Sequence, residues 1–332
     1  MDTTIKVYGN FHEAIRNNVL WKKEQMEEYK EYRRRWEDNP IKAIVEKAPI
    51  HLDIETSAIC NLMCPMCFCT IERQKGDKAA YKGGLMPFER YKKIIDEASD
   101  IGVCSVKLNW RGEPLMNPDI AKMVGYAKEK GILEIMINTN AVFLSDKMSR
   151  ELINAGLDKI IFSVDSVHKE RYEKIRIGAN FEDTMDNIKN FVRINNQLGH
   201  KVSTRVQRVL MNETDDEQQE FEEYFKDIID VIAYEDYIPY GDKELGKRKL
   251  FDEYPNFRCP QIWQRLLITW EGKCFMCCCS SDEQFQIGDL TSDSIEEIWH
   301  SKKLETVREI HKLGNWHKFE KCRNCYLPYV TS

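Results

Sequence analysis

The feature that most constrains this chain is an alternation that starts near residue 50 and runs to about 240. "PIHLDIETS" reads as a strand and "PFERYKKIIDEASDIG" as a helix stopped by Gly102. "VCSVKLNW" is a strand, and "PDIAKMVGYAKEKG" is a helix with Pro118 at its start and Gly131 at its end. "LEIMINTN" is a strand, "SDKMSRELINAG" a helix capped by Ser145, and "LDKIIFSVD" a strand. The helix "NFEDTMDNIKNFVRINNQLG", the strand "VSTRVQRVLM", the helix "TDDEQQEFEEYFKDI" and the strand "IDVIAYEDY" complete the run. Short apolar strands between amphipathic helices imply a parallel sheet covered by helices. Six such units are too few for an eight-fold barrel. In βα architectures ligands bind at the C-terminal ends of the strands.

The flanks are different in kind. Residues 1–49 read as a helical extension, because Trp21, Gln25, Tyr29, Tyr32 and Trp36 fall at helical spacing among Lys, Glu and Arg, and Pro40 marks the expected end. Such a helix lies on the main domain with its charged face in solvent. After about 245 the alternation stops. "LLITWEGKCFMCCC" reads as a hairpin turning at Glu271-Gly272, and "SIEEIWHSKKLETVREIHK" as a helix. The expected units are therefore 1–49, 50–245 and a small cysteine-bearing module at 246–332.

The 12 cysteines are unevenly placed: four in 60–69, seven in 259–325, and Cys104 alone. The N-terminal "MDTTIKVYGNFHEAIRNN" lacks the apolar stretch of a secretory signal, and no apolar run reaches the ~18 residues that a bilayer requires. A cytoplasmic location is the expectation. Cysteines clustered in a reducing compartment point to metal or iron–sulfur ligation instead of disulfides. A net charge of −6 and a pI near 5.8 speak against a general nucleic-acid binder.

In "ETSAICNLMCPMCFCT" three cysteines, Cys60, Cys64 and Cys67, stand at C-x3-C-x2-C directly after the first strand of the alternation. Three thiolates on one loop can hold three corners of a metal centre. A structural zinc site or a closed electron-transfer cluster needs a fourth ligand, which Cys69 could supply. The other option is a 4Fe–4S cluster with one iron left open.

That motif in that place resembles the radical S-adenosylmethionine (SAM) superfamily. The resemblance implies an α/β fold, a partial (β/α)6 TIM barrel, with SAM chelating the open iron and Cys69 spare. It implies that one electron cleaves SAM to a 5′-deoxyadenosyl radical, which takes a hydrogen atom from substrate. Met66 stands where the family usually has an aromatic residue. "WRGEPL" follows the second strand and resembles the family's Gly-Gly-Glu motif with Arg111 in place of the first Gly, so Gly112 and Glu113 carry over, and Glu113 is expected to meet the SAM amino group. Asn138 in "INTN", Ser163 and Asp165 in "SVD", and Arg205 and Gln207 on the fifth strand are the other expected SAM contacts.

The second group admits a zinc ribbon pairing Cys274 and Cys277 with Cys322 and Cys325. It also resembles the SPASM domain in its shortened, twitch form. On that likeness Cys259, Cys277, Cys322 and Cys325 hold one auxiliary 4Fe–4S cluster, spaced as in aminocyclitol-oxidising dehydrogenases. Cys278 and Cys279 are then core or spare thiols. The reaction this implies is oxidation of an alcohol on a small polyhydroxylated substrate, a sugar or aminocyclitol. The auxiliary cluster accepts an electron, and Arg208, Glu235, Asp236 or Tyr240 is the base. Alternatives are a peptide- or protein-modifying maturase, or an epimerase with Cys104, Cys278 or Cys279 as hydrogen donor. An external one-electron donor such as flavodoxin or ferredoxin is implied; neither nucleic acid nor membrane is expected as a partner.

Overall fold

The computed structural model describes residues 7–8, 11–16, 22–74, 83–211, 214–237, 257–277 and 285–323, with 325 and 327. The chain opens on two strands, β1 (Val7–Tyr8) and β2 (Phe11–Arg16), followed by helix α1 (Glu27–Lys42). The alternation then gives β3 (His51–Ile54), α2 (Phe68–Gln74), α3 (Phe88–Asp100), β4 (Ser105–Lys107), α4 (Ile120–Glu129) and β5 (Glu134–Thr139). It continues with α5 (Asp146–Ala155), β6 (Lys159–Ser163), α6 (Lys169–Ile175), α7 (Phe181–Gln197), β7 (Ser203–Leu210), α8 (Asp215–Phe225) and β8 (Val231–Asp236). Strands β3 to β8 lie side by side in chain order and pair in parallel, which makes the six-stranded partial barrel. Ser145, Asn180 and Thr214 cap their helices by accepting from Met148 N, Asp183 N and Glu217 N.

Strand alternation sorts the two faces of the sheet. Leu52, Ile54, Val106, Ile135, Ile137, Ile160, Phe162, Val206 and Ile232 are buried in one core with the helices. Many of the intervening residues are polar and bond one another across strands: His51 Nδ1 to Ser105 Oγ at 2.6 Å, Lys107 Nζ to Asp53 Oδ1 at 2.9 Å, and Lys159 Nζ to Glu134 Oε1 at 2.7 Å. They line the lumen. Burial opposes the charge on Asp53, but Lys107 and Arg265 hold its carboxyl well below the ordinary range.

The N-terminal region is only partly helical, which corrects the expectation for 1–49. Strand β2 pairs antiparallel with β8 and covers that edge of the sheet, and β1 pairs with β2. Pro40 does not end α1. The helix runs to Lys42 and stops at Ala43 in the left-handed region. Proline leaves the Trp36 carbonyl without its helical donor, and Gln264 Nε2 takes that carbonyl at 2.6 Å. The aromatic stripe closes the lower end of the lumen: Tyr29 OH and Tyr32 OH donate to Glu134 at 2.9 and 3.1 Å, and Ser105 Oγ donates to Tyr32 OH at 3.0 Å. The opposite side of α1 carries exposed pairs such as Arg34 with Glu31 and Asp38.

The C-terminal hairpin forms as expected, from β9 (Arg265–Ile268) and β10 (Lys273–Phe275), with β11 (Gln286–Asp289) added beside β10. Strand β9 also pairs in parallel with β3, so this module continues the barrel sheet. The long helix expected after it is two, Ile295–Trp299 and Lys302–Lys312, because Ser301 caps the second.

One pH dependence follows from the fold. His200 Nδ1 lies 3.0 Å from Asn196 Oδ1 and Nε2 lies 3.2 Å from Asp230 Oδ1, the arrangement of an imidazolium with two acceptors. The hydrogen bond to Asp230 raises its pKa. A raised folded-state pKa contributes stability below the unfolded value of about 6.5, and that contribution disappears as pH rises through the folded value. The site is partly exposed, so about 0.5 kcal/mol is expected. A thermal melt series from pH 5.5 to 8.5 should lose this slope in the His200→Gln protein.

Candidate active site

The three cysteines of the first motif sit where β3 delivers them, at the C-terminal end of the barrel. Cys60 and Cys64 lie in the loop, and Cys67 opens α2, its carbonyl accepting from Ile71 N at 3.0 Å. The loop is held from several sides. Glu113 N donates to Ile59 O at 2.8 Å, Met63 N to Ile177 O at 2.9 Å, and Asn140 Nδ2 to Asn61 Oδ1 at 2.9 Å. Gly112 is wedged beneath it: at φ +71°, an added Cβ would stand 2.5 and 2.6 Å from the carbonyl oxygens of Ser57 and Ile59. Gly112→Ala is expected to destabilise the protein by about 2 kcal/mol or more, since left-handed strain alone costs ~1–2 kcal/mol. Displacement of the loop should also lower iron incorporation, readable by iron analysis beside the melt.

Cys69 is buried in the first turn of α2 and its thiol hydrogen-bonds to the Cys67 sulfur. That contact draws Cys67 down to about 6 and pushes Cys69 up. Burial raises Cys60 to about 11. Among the described residues, no three His, Cys, Asp or Glu side chains are gathered closely enough to hold one metal ion. Met66 sits half-buried in the turn beside Cys67.

The "WRGEPL" turn does two jobs. Arg111 forms a bidentate pair with the fully buried Glu55, Nε to Oε1 at 2.6 Å and Nη2 to Oε2 at 3.0 Å. Glu113 is buried and accepts from Leu115 N, Thr139 Oγ1 and Asn140 N at 3.1, 2.7 and 2.8 Å. Burial pushes its carboxyl up to about 7. With three protein donors already on it, Glu113 ties the turn to the end of β5, a positioning task in addition to the cofactor contact that its motif led us to expect.

The other expected residues divide by strand face. Asn138, Ser163, Arg205, Gln207 and Glu235 alternate toward the lumen, and Arg205 Nη2 donates to Gln207 Oε1 at 2.6 Å. Burial raises the Glu235 carboxyl, opposed by Arg205. Arg208 is a correction. It falls on the helix side of β7, packs over Phe221 and donates to Glu217 O at 3.2 Å. Its place in the strand is one residue out of phase with Arg205 and Gln207. Asp236 shares the helix-side phase of Ile232 and Tyr234 and is likewise turned from the lumen. Tyr240, Cys278 and Cys279 lie outside the described residues. Cys104 immediately precedes β4, at the opposite end of the barrel, beside Arg35 at 3.3 Å, which removes it as a hydrogen donor at the upper end.

Asp165 is fully buried, with Oδ1 accepting from Val209 N at 3.0 Å and Oδ2 2.6 Å from Arg176 Nε. Arg176, Asn140 and Asn61 were not singled out from the sequence. Arg176 Nη1 reaches Cys64 Sγ at 3.9 Å, and Asn140 Nδ2 reaches Cys60 Sγ at 3.8 Å. The only local hint for Arg176 is an arginine just ahead of a glycine at the end of a helix, a pattern common on surfaces.

In the C-terminal module, Cys259, Cys277, Cys322 and Cys325 are each part-exposed, whereas Cys274 is fully buried in the main core. A ribbon that needs Cys274 as a ligand does not fit that placement. Cys259 N donates to His311 Nδ1 at 3.3 Å, and Cys325 N to Cys322 O at 3.0 Å.

A radical SAM superfamily model matches residues 54–225, just over half of the chain, and a SPASM iron–sulfur cluster-binding domain model matches 259–326. The chain belongs to the radical SAM superfamily. It is an enzyme that uses SAM with a 4Fe–4S cluster, and its second matched domain brings auxiliary cluster binding. Among curated relatives, the "Probable GTP 3',8-cyclase" of Methanococcus maripaludis is 30% identical over 41% of this chain and 43% of that protein. The "Tungsten-containing aldehyde ferredoxin oxidoreductase cofactor-modifying protein" of Pyrococcus furiosus is 28% identical over 59% and 54%. The chain spans about half the length of the curated relatives it matches. Of solved structures, BtrN in complex with AdoMet and 2-DOIA covers 85% of this chain and 94% of its own at 18% identity and TM-score 0.54. Streptococcus suis SuiB bound to S-adenosylmethionine covers 90% and 75% at 17% identity and TM-score 0.64. At these identities the likeness is one of fold. No described helix is long and apolar enough to cross a membrane.

The residues present fit the cofactor. Asn138 Oδ1, at the end of β5, is a buried acceptor with no donor among the described residues, suited to an ammonium or a ribose hydroxyl.

Proposed function

We propose that this chain oxidises an alcohol of a small polyhydroxylated substrate, a sugar or aminocyclitol, to a ketone. In this reading Cys60, Cys64 and Cys67 hold the SAM-binding cluster. Asn138, Ser163 and Gln207 contact SAM, and Met66 walls the cluster. Cys259, Cys277, Cys322 and Cys325 hold the auxiliary cluster. When bound, SAM supplies a 5′-deoxyadenosyl radical that takes a hydrogen atom and the auxiliary cluster supplies a one-electron sink, so a carbinol loses a hydrogen atom, a proton and an electron. Glu235 accepts the proton at its carboxylate. Arg205 opposes the rise that burial imposes on that carboxyl, and the lumen floor closed by Tyr29 and Tyr32 keeps bulk water from entering below.

The observation that carries the substrate class is that each of these described lumen cations faces a carboxylate. Lys107 and Arg265 face Asp53, Arg111 faces Glu55, Lys159 faces Glu134, and Arg205 acts on Glu235. A triphosphate requires a surplus of cations; a neutral or amino-bearing polyol does not. This favours a polyol over a nucleotide such as GTP.

The test is anaerobic incubation of reconstituted enzyme with SAM and a reductant, across aminocyclitols, sugars, peptides and GTP. We expect 5′-deoxyadenosine together with a substrate lighter by two hydrogens among the polyols. Turnover of a peptide alone, of GTP, or a stereoisomer of unchanged mass would each replace the dehydrogenase reading.

A further inference from the structure

We propose that Arg176, held by Asp165, is a positioning charge for the three-cysteine site, and that it eases one-electron reduction of the cluster by compensating negative charge at Cys64. The proposal rests on Cys60, Cys64 and Cys67 holding that cluster.

The guanidinium sits between a carboxylate and a cysteine sulfur. On one side Asp165 Oδ2 lies 2.6 Å from Nε, and on the other Cys64 Sγ lies 3.9 Å from Nη1. Asp165 is itself fixed, because it is fully buried and Val209 N occupies Oδ1 at 3.0 Å. The backbone around Arg176 is fixed as well. Its N–H donates to Tyr172 O at 2.7 Å, and Ile177 O takes Met63 N at 2.9 Å. Gly178, at φ +101°, brings the strap against the loop so closely that a Cβ would lie 3.3 Å from Asn61 O. The segment after α6 is therefore laid across the cysteine loop, and the cation is delivered to one particular sulfur.

One carboxylate is enough to pair one buried guanidinium. Aiming the remaining N–H groups at a thiol has a use when that sulfur carries charge. A thiolate-bound iron–sulfur cluster gains one negative charge on reduction, and a cation within reach of a ligand sulfur stabilises the reduced form more than the oxidised form. Outer partners of ligands tune a metal centre in this way. A simple brace between β6 and the loop would not produce that effect.

The experiment uses the full chain, reconstituted anaerobically, with Arg176→Gln, Arg176→Lys and Asp165→Asn. A redox titration follows the electron paramagnetic resonance signal that shifts on adding SAM, beside iron and sulfide content and a thermal melt. In Arg176→Gln the reduced-to-oxidised ratio at a fixed potential should fall about tenfold, equivalent to ~59 mV for one electron. Arg176→Lys should recover most of the difference, and Asp165→Asn, which removes the anion that offsets the guanidinium, should raise the ratio above wild type. A full iron load with an unchanged potential in Arg176→Gln would overturn the proposal and leave a brace. Should that variant lose iron, an unchanged potential in Asp165→Asn would overturn it equally. If the wild-type chain loads no cluster at the three cysteines, the underlying site reading fails and this proposal with it.

Discussion

Cys64→Ala protein is expected to form no 5′-deoxyadenosine above background, while Cys69→Ala protein keeps forming it. The two thiols are five residues apart and both are buried, so burial alone does not separate them. Their surroundings do. Cys64 stands in the loop that Met63, Glu113 and Asn140 anchor, next to Arg176. Cys69 lies inside α2 and is engaged with Cys67. Loss of Cys64 leaves two thiolates for a cluster that needs three, with a buried guanidinium deprived of one neighbour. Iron should drop from about eight per chain to about four, the auxiliary cluster surviving. Cys69→Ala removes a small buried thiol and should retain close to the full iron content. A cluster lost from Cys69→Ala as well as from Cys64→Ala would mean that the fourth corner belongs to protein, and the SAM assignment at this loop would not stand.

The second large effect is expected at Glu235. It is the one carboxylate on β8 that faces the lumen, with Arg205 beside it on the neighbouring strand. A positioned general base contributes about 10²–10⁴-fold. Glu235→Gln should lower kcat for ketone formation by that order while SAM cleavage continues, so 5′-deoxyadenosine accumulates in excess over oxidised product. Burial raises this carboxyl above the ordinary range. The base works deprotonated, so the wild-type rate should fall as pH drops through that raised value, and the Gln protein should lack this acidic limb. Product-to-deoxyadenosine ratios measured across pH 5 to 8 check both statements. Equal losses in both products would make Glu235 a structural residue, and Asp236→Asn serves as the neighbouring control because it is on the other face.

Much of the barrel was readable in the chain because its signals are local. Strand period, helix period and caps such as Ser145 and Thr214 depend on residues within one or two turns, and each of the six strands from β3 to β8 lies where the pattern put it. The three-cysteine loop was readable for the same reason, since the spacing and the strand before it are contiguous. Arg208 shows the limit of this. Its side was implicit in the alternation of β7, but only the packing of Phe221 and Glu217 against it makes the outer face visible. The break at Ser301 and the continuation of α1 past Pro40 were missed because each depends on a competing bond, a cap in one case and Gln264 in the other.

By itself, then, the amino-acid order determined the succession of strands and helices, the end of the barrel that carries chemistry, and the thiols available there. Tertiary structure alone decided that α1 closes the lumen floor, that β9 extends the sheet beside β3, and that Arg176 reaches Cys64 from 112 residues away. The reason is that periodicity is written in neighbouring residues, whereas the partner of a buried charge or of a sheet edge is chosen by whatever the fold brings within bonding distance.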